Sequence, residues 1–330
     1  MPIHRRTLLA GLAAGALVVR PGAARAQDRF AAARERARGL DQLHTLVVAV
    51  DGEVALAEAF RGPGLERPAN LKSVSKTLVA TLTGAAIDRG VLPGVDAKAL
   101  DYLDAPRGMD PRAAAVSIED LLTMRSGFER VSGANYGAWV QSPDWVAYVL
   151  SRPMVAAPGA RFGYSTGDFH LLSAVLTQAS GESLLALARE WIGRPLDVEI
   201  PPWTRDPQGV YMGGNNMALS PMAMLAFGEA IRMGGGPMVS EGWIATSWIP
   251  RTRSPFSGHQ YGYGWFLARL AGADLAYARG YGGQMIYVIP GAGLTVAVTS
   301  DPDQPARSEG HTGALHALVA EAVIPAARAG

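Results

Sequence analysis

Two residues of complementary chemistry stand at the start of the segment around which this chain is organised. Ser73 and Lys76 form an S-x-x-K pair at the beginning of Leu71–Gly90, whose apolar residues recur at helical spacing. Residues three apart lie on one face of a helix, so the hydroxyl and the amine can meet. Serine is a poor nucleophile until a base takes its proton, and lysine becomes such a base when burial lowers its pKa. The pair predicts acyl-transfer chemistry, although S-x-x-K also begins ordinary surface helices.

A loop at 161–167 contains a second group that could move protons. Tyr164 can act as a relay if a nearby lysine holds its phenol partly ionised; the alternative is a core tyrosine with a satisfied hydroxyl. The same loop matches G-x-S-x-G, the nucleophile elbow of α/β-hydrolases, with Ser165 as the nucleophile. That motif needs a buried strand directly before the serine, whereas 155–161 has the composition of a loop. Ser165 is therefore the less favoured nucleophile.

Glycines enter a strand pattern at 278–284. Glycine at a strand edge allows another backbone or a substrate to approach closely. An amide N–H in this stretch could join that of Ser73 in holding an oxyanion. The alternative interpretation is a tight hairpin turn.

The elements that must position these residues are strands near both ends of the chain. Two apolar runs flank Asp51-Gly52, a strong hairpin signal, and Pro290-Gly291 turns the last pair of a second set of strands. That second set is predicted at 261–267, 274–278, 284–289 and 294–299. Helices are expected at 28–40 and 309–327, outside the strands.

Helical patterns occupy the middle of the chain, at 117–124, 144–150, 168–181 and 221–233. Ser165, Thr166 or Asp168 could cap the third of these. We therefore expect an α+β fold, in which one antiparallel sheet from 27–72 and 237–330 is flanked by N- and C-terminal helices, with a mainly helical region, 73–236, inserted between its halves. The site would lie in the crevice between the two parts.

Composition excludes several classes of partner and cofactor. The 330 residues have a net charge of +1 and form no basic cluster beyond the N-terminus, which argues against nucleic acid. Cysteine is absent, so disulfides and thiolate metal sites are impossible, and the histidines match no metal-binding spacing. We expect neither a metal nor a cofactor.

The N-terminus indicates export. Arg5 and Arg6 precede an apolar run at 8–19, and Ala24-Arg25-Ala26 forms a small-x-small cleavage site. We predict a twin-arginine signal peptide at 1–26 and a periplasmic or secreted protein that does not insert stably into a membrane after cleavage. An uncleaved anchor is the alternative, but the apolar run is short for a membrane span.

With these motifs in place, the chain resembles the serine β-lactamase and penicillin-binding-protein superfamily. The similar branch contains class C β-lactamases, esterases of that fold and 6-aminohexanoate-dimer hydrolases. Three motifs follow the family order: Ser73–Lys76, Tyr164–Thr166 and Tyr281–Gly283. Two framework stretches, 121–127 and 219–228, are also similar.

The resemblance implies a β-lactamase/transpeptidase-like fold and a set of roles. Ser73 would be the nucleophile that forms an acyl-enzyme, and Lys76 with Tyr164 would move its proton. The backbone N–H groups of Ser73 and Gln284 would form the oxyanion hole. The remaining motif residues would bind substrate, namely Thr166, Tyr281, Gly282 and Gly283.

Two departures from the family pattern bear on the substrate. Thr166 stands where asparagine is usual, and Tyr281-Gly282-Gly283 replaces K-T-G, which removes the lysine that engages a β-lactam carboxylate. A buried carboxylate without a cation is costly, so an uncharged ester or amide is favoured over β-lactamase or D,D-peptidase activity unless Arg279 substitutes. The missing cation also leaves burial to do more of the lowering of the pKa of Lys76.

The sequence also allows a second functional class and two positions for its loop aromatic residues. A non-catalytic binding or sensor protein on the same fold is the alternative from another functional class. Several aromatic residues in loop-rich stretches could rim the crevice or pack between helices: Tyr136, Trp139, Trp145, Trp203 and Tyr211.

Overall fold

One eight-stranded antiparallel sheet forms the centre of the fold. The computed structural model describes residues 29–329, so the predicted signal peptide at 1–26 lies outside the described residues. The strands, in chain order, are β1 Leu43–Val50, β2 Glu53–Ala59, β3 Ala69–Asn70, β4 Ala218–Leu219, β5 Thr252–Arg253, β6 Gln260–Tyr261, β7 Phe266–Leu270, β8 Ala273–Gly280, β9 Gln284–Ile289 and β10 Leu294–Ser300. The sheet order is β2-β1-β10-β9-β8-β7-β6-β5, and β3 pairs with β4 separately.

Helices cover both faces of the sheet and fill the segment between its halves. They are α1 Ala31–Arg38, α2 Ser75–Asp88, α3 Ile118–Leu122, α4 Tyr136–Val140, α5 Trp145–Leu150, α6 Thr166–Ser180, α7 Leu184–Ala188, α8 Arg194–Leu196, α9 Pro221–Arg232, α10 Glu241–Ser247, α11 His311–Leu318 and α12 Ile324–Arg328. Helix α1 packs against β1 and the C-terminal helices, whereas α9 packs against β1, β9 and β10. The α+β fold and its antiparallel sheet, built from strands near both ends of the chain, are confirmed.

Local sequence explains most element boundaries. The hairpin turn at Asp51-Gly52 joins β1 to β2, as predicted. Ser117 and Asp120 form a capping box at the start of α3, and Asp144 caps α5. Of the three candidate caps for α6, the structure selects Ser165, whose hydroxyl accepts from the N–H of Asp168.

Two predicted elements differ in the structure for identifiable reasons. The strand expected at 261–267 is interrupted because Gly262–Trp265 form a turn, in which the N–H of Gly262 donates to Trp265 over 3.0 Å. The closing helix contains a π-helical turn at Val319–Val323. This turn directly precedes the helical turn of Pro325, whose missing N–H removes the regular bond to the carbonyl four residues earlier.

The helices of the described residues are short for a membrane span. Within residues 29–329 no single helix is long and apolar enough to cross a bilayer. The consecutive helical segments 166–180 and 184–196 reach the required length only together, and they meet at 86°.

Candidate active site

The turn that carries Ser73 is anchored on both sides. Ser73 lies in a 3₁₀ turn, Lys72–Val74, directly before α2. Lys72 adopts a left-handed φ of 49°, and its N–H is bound by Asn70 Oδ1 at 2.8 Å. The buried hydroxyl of Ser75 donates to the Lys72 carbonyl at 2.6 Å and accepts from the N–H of Met217 at 3.1 Å. These bonds hold Ser73, which stays partly exposed, in one orientation.

Lys76 extends from the first turn of α2 to meet three acceptors. Its Nζ lies 3.1 Å from Ser73 Oγ, 3.3 Å from Thr166 Oγ1 and 2.7 Å from the Gly214 carbonyl oxygen. The side chain is only 2% exposed. A neutral amine has two N–H donors and one lone pair. It can therefore donate to Thr166 and Gly214 and accept the proton of Ser73.

The electrostatic surroundings favour the neutral form of this amine. Burial lowers the pKa of Lys76 to about 7, while the charge of Asp168 acts to raise it. Burial likewise raises the pKa of Asp168 to about 7, while the neighbouring Ser126 and Ser165 and the charge of Lys76 act to lower it. As expected from the missing K-T-G cation, burial is the main cause that lowers the pKa of Lys76. Asp168, which sequence reasoning considered only as a helix cap, is an acid beside the base.

Thr166 and Ser132 extend the hydrogen-bond chain beyond Lys76. Ser132 Oγ lies 3.0 Å from Thr166 Oγ1 and accepts from the N–H of Thr166 at 2.8 Å. Although Thr166 stands where the resemblance leads us to expect asparagine, its hydroxyl contacts the lysine. Ser132 has no motif around it, and only the fold identifies it as part of the site.

Tyr164 lies beside the same amine. The Nζ of Lys76 is 4.9 Å from the centre of the Tyr164 ring. Burial raises the pKa of the Tyr164 phenol, and a hydrogen bond with Ser73 and the charge of Arg279 oppose that rise. The phenol is therefore protonated at neutral pH, contrary to the idea that Lys76 holds it partly ionised.

The glycine-rich stretch 280–283 has two parts. Gly280 lies beside the turn of Ser73, whereas Gly282 and Gly283 lie against the C-terminal segment. A Cβ on Gly280, at the end of β8, would lie 2.3 Å from the Leu71 carbonyl oxygen, so only glycine fits beside the turn of Ser73. Tyr281 follows and is 54% exposed. A Cβ on Gly282 would meet the Asp301 backbone, and one on Gly283 would meet His311. These two glycines thus pack under the C-terminal segment.

Gln284, the expected oxyanion residue, lies on the other side of β8. It pairs with Gly280 across the β8–β9 ladder, and its buried side chain exchanges two hydrogen bonds with the backbone of Ser300. On the opposite edge, β7 pairs with β8 only as far as Tyr277. The end of β8 therefore presents an edge without a strand partner among the described residues, and the 3₁₀ turn Tyr281–Gly283 begins directly after it.

Arg279 does not take the place of the missing lysine. Side chains alternate along a strand, so Arg279 lies on the opposite face from Gly280. Its guanidinium donates to the Ala306 carbonyl at 3.0 Å and to Ser308 Oγ at 3.3 Å. Its charge lowers the pKa of Tyr164, but its donors are used by the loop after β10.

The structure contradicts the nucleophile-elbow alternative. Ser165 is buried and serves as the cap of α6, and its Oγ accepts from the N–H of Val131 at 3.2 Å. The segment 155–164 contains no strand. The downstream histidines hydrogen-bond elsewhere: His259 with Tyr277, His311 with Ser300 and His316 with Tyr287.

Most of the candidate aromatic residues pack between helices. Trp139 and Trp145 are buried and contact each other and the ring of His170. Tyr136 is partly buried, and its hydroxyl accepts from Asn215 at 3.1 Å. The other two, Trp203 and Tyr211, contact each other with ring centres 4.6 Å apart. Among residues 29–329, no group of three histidine or acidic side chains is placed to hold a metal ion.

A stability prediction follows from the backbone beside Gly214. A Cβ on Gly213 would lie 1.9 Å from the Phe169 carbonyl oxygen, a fixed atom of α6. Gly213→Ala is therefore expected to lower the free energy of unfolding by at least about 2 kcal/mol. Gly137→Ala in α4 is the matched control, because a Cβ there meets nothing within 4 Å. It should be neutral or slightly stabilising, as measured by urea denaturation. Equal losses for both variants would contradict the packing argument.

Solved structures of known proteins share the fold of this chain. EstCE1, a hydrolase with promiscuous acyltransferase activity, superposes with a TM-score of 0.71 and 19% identity over 92% of this chain and 98% of its own. The octameric penicillin-binding protein homologue from Pyrococcus abyssi gives a TM-score of 0.69 and 19% identity over 90% of this chain and 76% of its own. At such identities these likenesses establish the fold.

Sequence comparison reaches a curated relative and a family. The probable fimbrial assembly protein FimD of Dichelobacter nodosus, serogroup H1, is 28% identical over 144 residues, which span 41% of this chain and 36% of that protein. The Beta-lactamase family model matches residues 20–321, nearly the whole chain. Family membership supports a hydrolase of the serine β-lactamase fold. From its fold, its S-x-x-K geometry and this match, the chain belongs to the Beta-lactamase family.

Proposed function

We propose that this protein is an exported serine hydrolase that cleaves an ester or amide through an acyl-enzyme on Ser73. The observation that carries the proposal is the 3.1 Å contact between Ser73 Oγ and the buried Nζ of Lys76. A partly exposed hydroxyl beside a desolvated amine is the arrangement that an activated nucleophile requires.

Acylation begins with proton transfer from Ser73 to Lys76. The freed Oγ attacks the substrate carbonyl carbon and forms the Oγ–C bond, while the carbonyl oxygen becomes an oxyanion. Tyr164, protonated because burial raises its pKa, donates its proton to the leaving atom as the bond to that atom breaks. The proton held on Lys76 then returns to Tyr164. The products of this half-reaction are the acyl-enzyme and a neutral alcohol or amine.

Deacylation uses the same groups in the reverse sense. Neutral Lys76, acting directly or through Tyr164, takes a proton from water as the water attacks the acyl carbon. The Ser73 Oγ–C bond breaks, and the proton returns to Oγ. Thr166 Oγ1 and the Gly214 carbonyl oxygen accept hydrogen bonds from Lys76, so the lone pair of the neutral amine is directed at Ser73.

The oxyanion would be held by two backbone N–H groups. One belongs to Ser73, and we propose that the second belongs to Tyr281, at the open edge where β8 ends beside the Ser73 turn. Gln284 is less suited, because it lies across the β8–β9 ladder. Each such donor is worth roughly 10²- to 10³-fold in kcat.

A fluorophosphonate probe with peptide mapping tests the proposed nucleophile. Labelling of purified mature protein at Ser73, together with turnover of a p-nitrophenyl ester, would support it. Label that persists in Ser73→Ala and disappears in Ser165→Ala would instead favour Ser165 as the nucleophile of a G-x-S-x-G elbow. Neither label nor turnover would favour the non-catalytic binding or sensor protein. Hydrolysis of a β-lactam or a D,D-peptide faster than of simple esters would favour the β-lactamase or D,D-peptidase alternative.

Export is tested separately through the signal sequence. Fusion of 1–26 to a reporter that is active only outside the cytoplasm should give signal, and replacing Arg5 and Arg6 by lysine should abolish it. Retention of the signal in the lysine variant would exclude the twin-arginine route.

The acid beside Lys76 gives a pH prediction. The Asp168 carboxylate raises the pKa of Lys76, so Asp168→Asn should lower that pKa further. The acidic limb of kcat/KM, which reports deprotonation of Lys76, is then expected to move to lower pH. Asp110→Asn, on the exposed surface beside Arg112, is the control and should leave the limb in place. A limb that moved to higher pH in Asp168→Asn would contradict this coupling.

A further inference from the structure

A cavity of about 350 Å³ opens directly beside the proposed active site. Tyr164 forms part of its wall, with apolar surface from Met124, Phe162 and Phe256. Phe256 is 59% exposed, so part of the cavity wall is open to solvent. Tyr164 belongs both to the cavity wall and to the proposed site, where its phenol interacts with Ser73, so the cavity adjoins that site.

The charges that line this cavity are unbalanced. Arg130 and Arg161 both contribute to the wall, and neither has a carboxylate partner among residues 29–329. The guanidinium of Arg130 lies 5.6 Å from the centre of the Phe256 ring. Glu129 also lines the cavity, but Arg152, which does not line it, already pairs with that carboxylate. Two cations are thus left uncompensated around an apolar cavity.

We propose that this cavity binds the leaving group of the substrate and that this leaving group carries a carboxylate on an aromatic or aliphatic body. The inference rests on the proposed function, in which Tyr164 hands a proton to the leaving atom. The leaving group then lies on the Tyr164 side of Ser73, which is the cavity side. Arginine matches a carboxylate with two parallel N–H donors, and Phe162 with Phe256 covers the apolar body.

This arrangement revises the expectation of an uncharged substrate. That expectation depended on the lysine missing from the β8 turn, and Arg279 does not replace it. Arg130 and Arg161 come from two other loops, before α4 and before α6, which only the fold brings together. A cation for an anionic substrate is therefore present at a different position.

A pair of matched esters tests the inference. Phenyl acetate and 3-acetoxybenzoate share the acetyl group and release phenols of similar basicity, but only the second carries a carboxylate on its leaving group. The kcat/KM of the wild-type protein is expected to be about tenfold or more higher for 3-acetoxybenzoate, since charge-assisted hydrogen bonds supply that discrimination. The ratio should fall with added salt, because both arginines are exposed.

Variants then locate the source of the preference. In the double variant Arg130→Gln, Arg161→Gln the ratio should collapse towards one. Arg36→Gln, in α1 where the guanidinium pairs with Glu321, is the matched control and should keep the wild-type ratio. A wild-type ratio near one, or a ratio unchanged in the double variant, would overturn the inference while leaving the acyl-enzyme proposal intact.

A binding measurement separates this inference from the proposed function. If neither ester is hydrolysed and Ser73 is not labelled, the proposed function fails. Calorimetric titration with 3-hydroxybenzoate and with phenol then tests whether the cavity binds a carboxylate, independently of catalysis. Tighter binding of 3-hydroxybenzoate that is lost in the double variant and kept in Arg36→Gln would support a carboxylate site. Equal affinity for the two compounds, or no binding of either, would overturn it.

Discussion

Ser73→Ala is expected to lower kcat for a p-nitrophenyl ester by a factor of roughly 10³ to 10⁶, because removal of a nucleophile abolishes the covalent route. The residue lies partly exposed in a short 3₁₀ turn that is held by Asn70, Ser75 and Met217, so the turn should survive the substitution. The thermal midpoint should therefore remain close to that of the wild type. Steady-state kinetics and a thermal unfolding curve on the same preparation measure both quantities.

A neighbouring serine provides the control for this prediction. Ser165→Ala removes the cap of α6 and should cost about 1 kcal/mol of stability, yet the probe should still label Ser73. If Ser73→Ala kept substantial turnover, the acyl-enzyme mechanism would be wrong.

Lys76→Met is the second large prediction, with an expected loss of roughly 10²- to 10⁴-fold in kcat/KM. The wild-type profile should rise with pH through an apparent pKa near 7, because burial lowers the pKa of Lys76 to about 7 and only the neutral amine accepts the Ser73 proton. Methionine fills the same space without a titrating group. The residual activity of the variant should therefore lack this limb.

The same substitution has an expected effect on stability with a defined sign. Lys76 titrates near 7 in the folded protein and near its ordinary value of 10.5 when unfolded. Between these pH values the unfolded chain binds the extra proton, so wild-type stability rises with pH across that window and is lowest below it. Lys76→Met removes this penalty, and the variant should need more urea to unfold at pH 6, with the difference shrinking towards pH 10.

Lys98→Met controls for the loss of a lysine charge. Lys98 is exposed on a surface loop, and its replacement should change neither the pH profile nor the urea midpoint. A Lys76→Met variant that unfolded more easily than the wild type at pH 6 would show that Lys76 is held as a stabilised cation and could not serve as the base.

Local sequence patterns were sufficient to predict many of the strands and helix starts of this protein. Alternating and continuous apolar runs predicted the hairpin at Asp51-Gly52 and the strands 284–289 and 294–299. They could do so because the spacing of apolar residues along the chain differs between a strand and a helix. Capping side chains likewise marked where α3 and α5 begin. The S-x-x-K spacing placed the hydroxyl of Ser73 and the amine of Lys76 together, since residues three apart share a helical face.

Two expectations show what such patterns do not decide. The oxyanion role of Gln284 was implied by the family resemblance and stays a prediction, and strand pairing places this residue across the β8–β9 ladder from Gly280. The strand expected at 261–267 is broken by a turn, although its composition alone is that of a strand. In both cases the pairing with other strands decides the outcome, and pairing is not a local property.

The order of the motifs, the signal-like N-terminus and the elements that carry the site were thus determined by the sequence alone. The chemistry of the site was decided by the tertiary structure. Lys76 meets Thr166 across 90 positions and Gly214 across 138, and its burial by these segments is what lowers its pKa. Arg130 and Arg161 likewise share a cavity only because two loops converge on Tyr164. Solvent exposure and electrostatic neighbours depend on which distant segments pack together, and spacing along the chain does not encode them.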